Sequence, residues 1–190
     1  MNITVYLSAY KGHDTSLNKA VADLGTWIGK SGNGLIYGGS KAGLMGILAE
    51  SALAAGGEVI GVEPAIFIDQ ELQHEGLTQL IVTQDMSERK AKMIELGDAF
   101  IALPGGTGTL EEISEIMSRI SLGLLQAPCI IYNHHGYYNG LKQLLDHMIE
   151  QGRSTKERQS GIRFAESIED ITDYLQTYQD KRNRQDVAER

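Results

Sequence analysis

Short apolar, β-rich runs alternating with helix-period segments predict a doubly wound, Rossmann-like α/β domain, with helices on both faces of one sheet. The strand-like runs are continuous rather than alternating in hydrophobicity, which implies burial on both faces and hence a parallel sheet. Two strand-to-helix junctions are glycine-rich, at 37–46 (YGGSKAGLMG) and 103–112 (LPGGTGTLEE). Ligands of such sheets bind beyond the carboxyl ends of the strands, where both junctions would lie.

In chain order, strands are predicted at 3–8 (ITVYLS), 34–38 (GLIYG), 58–62 (EVIGV), 79–83 (QLIVT), 98–103 (DAFIAL) and 128–132 (PCIIY). Helices are predicted between them, near 15–30, 42–55, 86–96, 109–122 and 136–151. The stretch 64–78 (PAIFIDQELQHEGLT) has no clear period and reads as a loop or short helix over the ligand edge. Beyond 152, the run IRFAESIEDITDYLQTYQ reads as a short extended piece and a closing helix, with Ser167 as N-cap. The expected organisation is a single domain over 1–180, followed by a charged tail at 181–190 that is solvated or frayed.

A formal charge of −8 over 190 residues gives no electrostatic footprint for nucleic acid or an anionic membrane. No apolar run approaches the ~20 residues that span a bilayer, and the N-terminal MNITVYLSAYKG lacks the pattern of a signal peptide. The single cysteine, Cys129, excludes an intramolecular disulfide framework and fits a reducing compartment, so a cytoplasmic protein is expected. Cys129 lies in an apolar run and reads as a buried packing residue.

Neither glycine-rich turn is a Walker loop or has the usual dinucleotide spacing. Each alone is explained by tight turns and close helix–sheet packing. Two at the same sheet edge suggest backbone amides and helix N-termini converging on an anion, with Gly39 in the first turn and Gly105–Thr109 in the second. Thr109 and Glu112 have the spacing of a capping box. Helical phase sets Leu110, Ile113, Ile116, Met117 and Ile120 on one apolar stripe. Glu111 and Glu115 then point away from it, while Glu112 borders it and faces the protein.

The preceding helix (MSERKAKMIELG) places Arg89 within the stripe of Met86, Met93 and Leu96. A guanidinium turned inward needs a carboxylate or a phosphate. An ion pair, a snorkelling arginine at a subunit boundary and a shared site with Glu112 all satisfy that need. His134 and His135 have neither the helical spacing nor the carboxylate company of a zinc motif, and His13, His74 and His147 are scattered. No metal is expected, and the histidine pair reads as loop.

MSERKAKM followed by DAFIALPGGTGTLEE resembles the LOG (Lonely Guy) family of cytokinin riboside 5′-monophosphate phosphoribohydrolases. Its P-G-G-x-G-T-x-x-E motif is matched at Pro104, Gly105, Gly106, Gly108, Thr109 and Glu112. YGGSKAGLMG, GGEVIGVEP and NHHGYYNGL also look like family segments in order, so the resemblance covers roughly 3–152. It implies hydrolysis of the N-glycosidic bond of a nucleoside 5′-monophosphate to free base and ribose 5-phosphate. It places the catalytic pair on Arg89 and Glu112. Ligand contacts fall on Lys90, on Gly105, Gly106, Thr107, Gly108, Thr109, Leu110 and Glu111, and on Glu71. It further implies a dimer or larger assembly with sites near the subunit interface. Older family labels read lysine decarboxylase, but nothing here suggests a pyridoxal phosphate site, and no cofactor is expected.

Three segments depart from the family pattern. Ser87 stands where the family has histidine, Leu7–Tyr10 replaces Cys-Gly-Ser-Ser, and Ser118–Gly123 replaces Thr-Trp-x-Gln-Leu-Gly. Substrate identity is therefore less determined than reaction type: a plain nucleotide such as AMP is one candidate and a prenylated one another. The alternative is a non-catalytic nucleotide-binding or sensing protein of the same fold.

Overall fold

The computed structural model describes residues 1–68 and 73–188. It begins with β1 (Asn2–Tyr6), α1 (Thr15–Lys30), β2 (Gly34–Tyr37), α2 (Gly43–Ala54) and β3 (Glu58–Pro64). The four-residue α3 (Ala65–Ile68), β4 (Gln79–Thr83), α4 (Met86–Leu96), β5 (Ala99–Ala102) and α5 (Thr107–Ser121) follow. The chain closes with β6 (Cys129–Tyr132), α6 (Asn139–Glu150), α7 (Lys156–Gln159), β7 (Ile162–Ala165) and α8 (Ile168–Ala188).

The seven strands form one sheet in the order β4-β3-β2-β1-β5-β6-β7, and every pairing is parallel. The order reverses direction between β1 and β5. Connections after these neighbours leave toward opposite faces and open a crevice between them, as a doubly wound sheet requires.

Strand alternation divides the core. Ile3, Val5 and Leu7 pack with Leu24, Ile28, Leu48 and Leu175 on the face covered by α1, α2 and α8. Tyr6, Phe100, Cys129 and Ile131 pack with Met93, Ile113 and Ile116 on the face covered by α4, α5 and α6. Burial pushes the Cys129 thiol up to about 12, which leaves it a packing residue.

The weakly patterned region after 152 supplies an edge strand, β7, paired with β6. Ser167 Oγ accepts from Asp170 N at 3.0 Å while the Asp170 carboxylate accepts from Ser167 N at 3.1 Å, a reciprocal cap at the start of α8. That helix runs on to Ala188, past the point where the sequence suggests a tail. Residues 181–184 are exposed, and Arg182 pairs with Asp98 at 2.8 Å.

Candidate active site

Asp85 caps α4, accepting from Ser87 N and Glu88 N, each at 2.8 Å. With the helix phased from that cap, Arg89 falls on its inner face, only 6% exposed. Its Nε donates to the Val62 carbonyl at 3.0 Å, and its Nη1 donates to Glu112 Oε1 at 2.5 Å. Glu112, 7% exposed, comes from the second turn of α5. The inward arginine and the inward glutamate are thus partners. Burial holds the Glu112 carboxyl above the ordinary glutamate range, with Arg89 acting in the opposite direction.

The capping-box expectation is corrected. Helix α5 begins at Thr107 with Gly106 as N-cap, and no side chain caps it. Thr109 lies three residues inside, so Glu112 is beyond reach of the N-cap amide and turns to Arg89 instead. The amides of Thr107, Gly108 and Thr109 precede the first full helical hydrogen bond, Leu110 N to Gly106 O at 3.1 Å. Gly106, Thr107 and Gly108 are exposed, so this end of the helix is open to an anion.

Gly105 leads into it pressed against Thr109. A Cβ there would stand 2.2 Å from Thr109 Oγ1, which no larger residue tolerates. Two tyrosines hold the loop from outside. Tyr137 Oη donates to the Gly105 carbonyl at 2.7 Å, and Tyr138 Oη to the Leu103 carbonyl at 2.8 Å.

The first glycine turn meets the same pair from the other side. A Cβ on Gly38 would lie 2.5 Å from Arg89 Nη2, and Gly39 adopts φ +87° over Glu63. Glu63 is a buried acid beside the pair that sequence reasoning passed over; its one signal is an acid inside the apolar run GVEP. Its Oε2 is buried without a hydrogen-bond partner among the described residues. Burial raises its carboxyl above the ordinary range, and Arg89 counteracts.

The remaining expected residues separate. Lys90 is occupied by Glu111 at 2.5 Å and Glu115 at 3.4 Å, on the outer side of α4 and α5. Glu111 is 56% exposed there. Leu110, placed by phase on the buried stripe, is 43% exposed instead, because the stripe runs beyond the core at the first turn of α5. It lines a groove of about 470 Å³ with Tyr137, Leu141 and Leu144. Glu71 lies outside the described residues.

Between the loops after β1 and β5 lies a cavity of about 380 Å³, at the reversal point of the sheet. Ser8, Tyr10 and Lys11 line one wall, Gly105 and Gly106 another, His134 and His135 a third. The histidines are not the solitary loop pair the sequence suggests, since the fold brings the Asp14 carboxylate to within 3.2 Å of both rings.

A parallel sheet reversed between β1 and β5, with a glycine loop and an open helix N-terminus at that edge, defines a doubly wound α/β protein. A family model described as "Possible lysine decarboxylase" matches residues 45–175. A cytokinin riboside 5′-monophosphate phosphoribohydrolase of Rhodococcoides fascians is 43% identical over 169 residues, covering 88% of this chain and 85% of that one. Another of that name from Arabidopsis thaliana is 35% identical over 176 residues, covering 93% and 83%. The chain belongs to the LOG family.

Among solved structures, the molybdenum cofactor carrier protein of Chlamydomonas reinhardtii superposes with a TM-score of 0.71 at 19% identity, covering 93% of this chain and 96% of its own. A molybdenum cofactor binding protein of Rippkaea orientalis gives 0.70 at 21%, with the same coverages. These two likenesses concern the fold.

Proposed function

We propose that this protein hydrolyses the N-glycosidic bond of a nucleoside 5′-monophosphate, AMP or an N6-prenylated cytokinin riboside 5′-monophosphate, to free base and ribose 5-phosphate. The reading is carried by a buried carboxylate–guanidinium pair within two helical turns of an open, glycine-rich helix N-terminus. Relatives named for this reaction, which match most of the chain, support it.

The exposed amides at Gly106–Gly108, with the helix dipole behind them, suit the 5′-phosphate. Glu112 follows Thr109 by three residues, about 4.5 Å along the helix axis. A phosphate held at the loop therefore brings the attached ribose toward the carboxylate. Breaking the C1′–N bond builds oxocarbenium character on the sugar, and an anion beside it stabilises that charge and orients the attacking water. Oε1 of Glu112 is taken by Arg89, which leaves Oε2 for that task. A guanidinium is a poor general acid, so Arg89 acts by its charge. Its role is electrostatic: it favours the ionised form of Glu112 and holds it in place, and its charge favours the departing base.

The phosphate anchor makes a direct test. Base release from AMP is compared with release from adenosine at equal concentration. The proposal expects AMP to be the far better substrate in kcat/KM, and equal rates would overturn the assigned role of the glycine loop.

The same proposal takes the protein to be a cytoplasmic homodimer. A lone, buried thiol suits a reducing compartment. Leu122 and Leu124 after α5, with Leu110 and Leu144 beside the groove, leave apolar surface for a second copy to cover. Light scattering should return twice the chain mass of 20.8 kDa; a monomer at every concentration would refute the dimer.

A further inference from the structure

The Arg89–Glu112 chemistry makes no use of the cluster on the third wall of the cavity. Asp14 at the N-cap of α1, together with His134 and His135 after β6, bring ligand atoms within 4.8 Å of one another. Asp14 Oδ2 stands 3.2 Å from His134 Nε2 and 3.2 Å from His135 Nδ1. Neighbouring donors on a metal bound at about 2.0–2.2 Å stand roughly 3 Å apart, so these separations already match the edges of a coordination shell.

Each donor is oriented by something behind it. Asp14 Oδ1 accepts from Ser16 N at 2.9 Å and from Ser16 Oγ at 2.6 Å, which turns Oδ2 toward the rings. Those bonds also hold the carboxyl down to about 2. His134 Nδ1 lies 2.9 Å from the Tyr132 hydroxyl. A proton on Nδ1, donated to Tyr132, leaves the Nε2 lone pair facing Asp14, the outer-shell arrangement typical of metal-bound histidines. Ser16 Oγ, whose one hydrogen goes to Asp14 Oδ1, accepts from Nε2–H at 2.9 Å in the other tautomer, so the ring must take the Nδ1–H tautomer to bind a metal.

His135 adds an independent sign. It is the one non-glycine with positive φ among the described residues, at φ 48°, and its ring stacks on His134 with centroids 4.1 Å apart. A left-handed histidine costs free energy, and strain of this kind gathers at ligand clamps. Here it aims Nδ1 at the shared carboxylate.

We propose that Asp14, His134 and His135 form a site for one divalent transition-metal ion, zinc being the best match, with its remaining coordination positions open to the cavity. Two imidazoles and one carboxylate form a donor set that catalytic zinc ions use while keeping a position free. Nitrogen donors disfavour magnesium and calcium, which prefer all-oxygen shells. The ammonium of Lys11 lines the same cavity and opposes a bare cation, so an anion on the open positions would tighten binding.

The test uses the full chain and cobalt(II), whose visible absorption reports nitrogen and oxygen coordination, with zinc as competitor and magnesium as control. One cobalt per chain, displaced by zinc and not by magnesium, is expected. Asp14→Asn keeps an N-cap for α1 and should lose the cobalt band while remaining folded by circular dichroism. His135→Gly relieves the backbone strain, so it should melt no lower than wild type and still lose the band. His147→Ala, at an exposed histidine elsewhere, should leave the band unchanged. No cobalt band in wild type, or a band that survives Asp14→Asn and His135→Gly, overturns the site. Metal binding is read without substrate, so this result stands apart from the hydrolase assay.

Discussion

Glu112→Gln separates chemistry from architecture, because both depend on the same carboxylate. Glutamine keeps an acceptor for the Arg89 N–H but removes the charge, and Arg89 is then buried beside a neutral partner. Deleting one member of a buried pair outright costs roughly 3–5 kcal/mol. Here the acceptor survives and the Glu63 carboxyl still interacts electrostatically with Arg89, so a cost of about 1–3 kcal/mol is expected, the range of a charged hydrogen bond. At about 2–4 °C per kcal/mol for a chain of this size, the melting temperature should fall by roughly 2–12 °C.

A native state worth ~5–15 kcal/mol survives that loss almost fully folded, so unfolding cannot account for a large drop in turnover. Losing the carboxylate at C1′ should lower kcat by roughly a hundredfold to ten-thousandfold, or about 3–5 kcal/mol of barrier. The assay is base release from AMP well below the melting temperature, with nucleotide binding measured calorimetrically on the same preparation. Retained binding with collapsed kcat supports the catalytic role. Wild-type kcat in a variant with a lowered melting temperature would refute it and leave Glu112 as the counter-ion of Arg89.

Gly38→Ala would place a Cβ 2.5 Å from Arg89 Nη2 and 3.1 Å from Met45 Sδ, displacing the guanidinium without touching a charge. Activity should fall at least tenfold by steady-state assay, and unchanged kcat/KM would show the pair to be tolerant of movement. Tyr137→Phe removes the hydroxyl that steadies the Gly105 carbonyl; KM for the nucleotide should rise several-fold with little change in kcat, and an unaltered KM would free the loop from this anchor. Glu63→Gln bears on pH. Burial raises the Glu63 carboxyl, so the fold gains from its neutral form below the ordinary glutamate value of ~4.3 and loses that gain as pH rises through the folded value. Melts across the acid-to-neutral range should show Glu63→Gln gaining on wild type as pH rises; a constant difference would contradict the raised carboxyl.

How far the site could be read in the sequence depends on how locally each feature is determined. Sheet type followed from continuous apolar runs, and helical phase alone turned Arg89 and Glu112 inward. That they bond to each other required the packing of α4 against α5. The capping box failed because the glycines let α5 begin two residues earlier, at Thr107, which carries Thr109 inside the helix. Lys90 and Glu111 form an outer ion pair, a pairing that motif matching does not report. Glu63 escaped notice because a lone acid in a buried strand has no periodic signature. The Asp14 contact with His134 and His135 joins the start of α1 to the loop after β6, a proximity created by the sheet order alone.

The central claim is hydrolysis at C1′, and product identity tests it most directly. Purified protein incubated with AMP and with isopentenyladenosine 5′-monophosphate should yield free base and ribose 5-phosphate in equal amounts, with at least one nucleotide consumed. Adenosine and inorganic phosphate as products would move the chemistry to the phosphoester, and tight binding of every nucleotide tried without release of base would contradict the account.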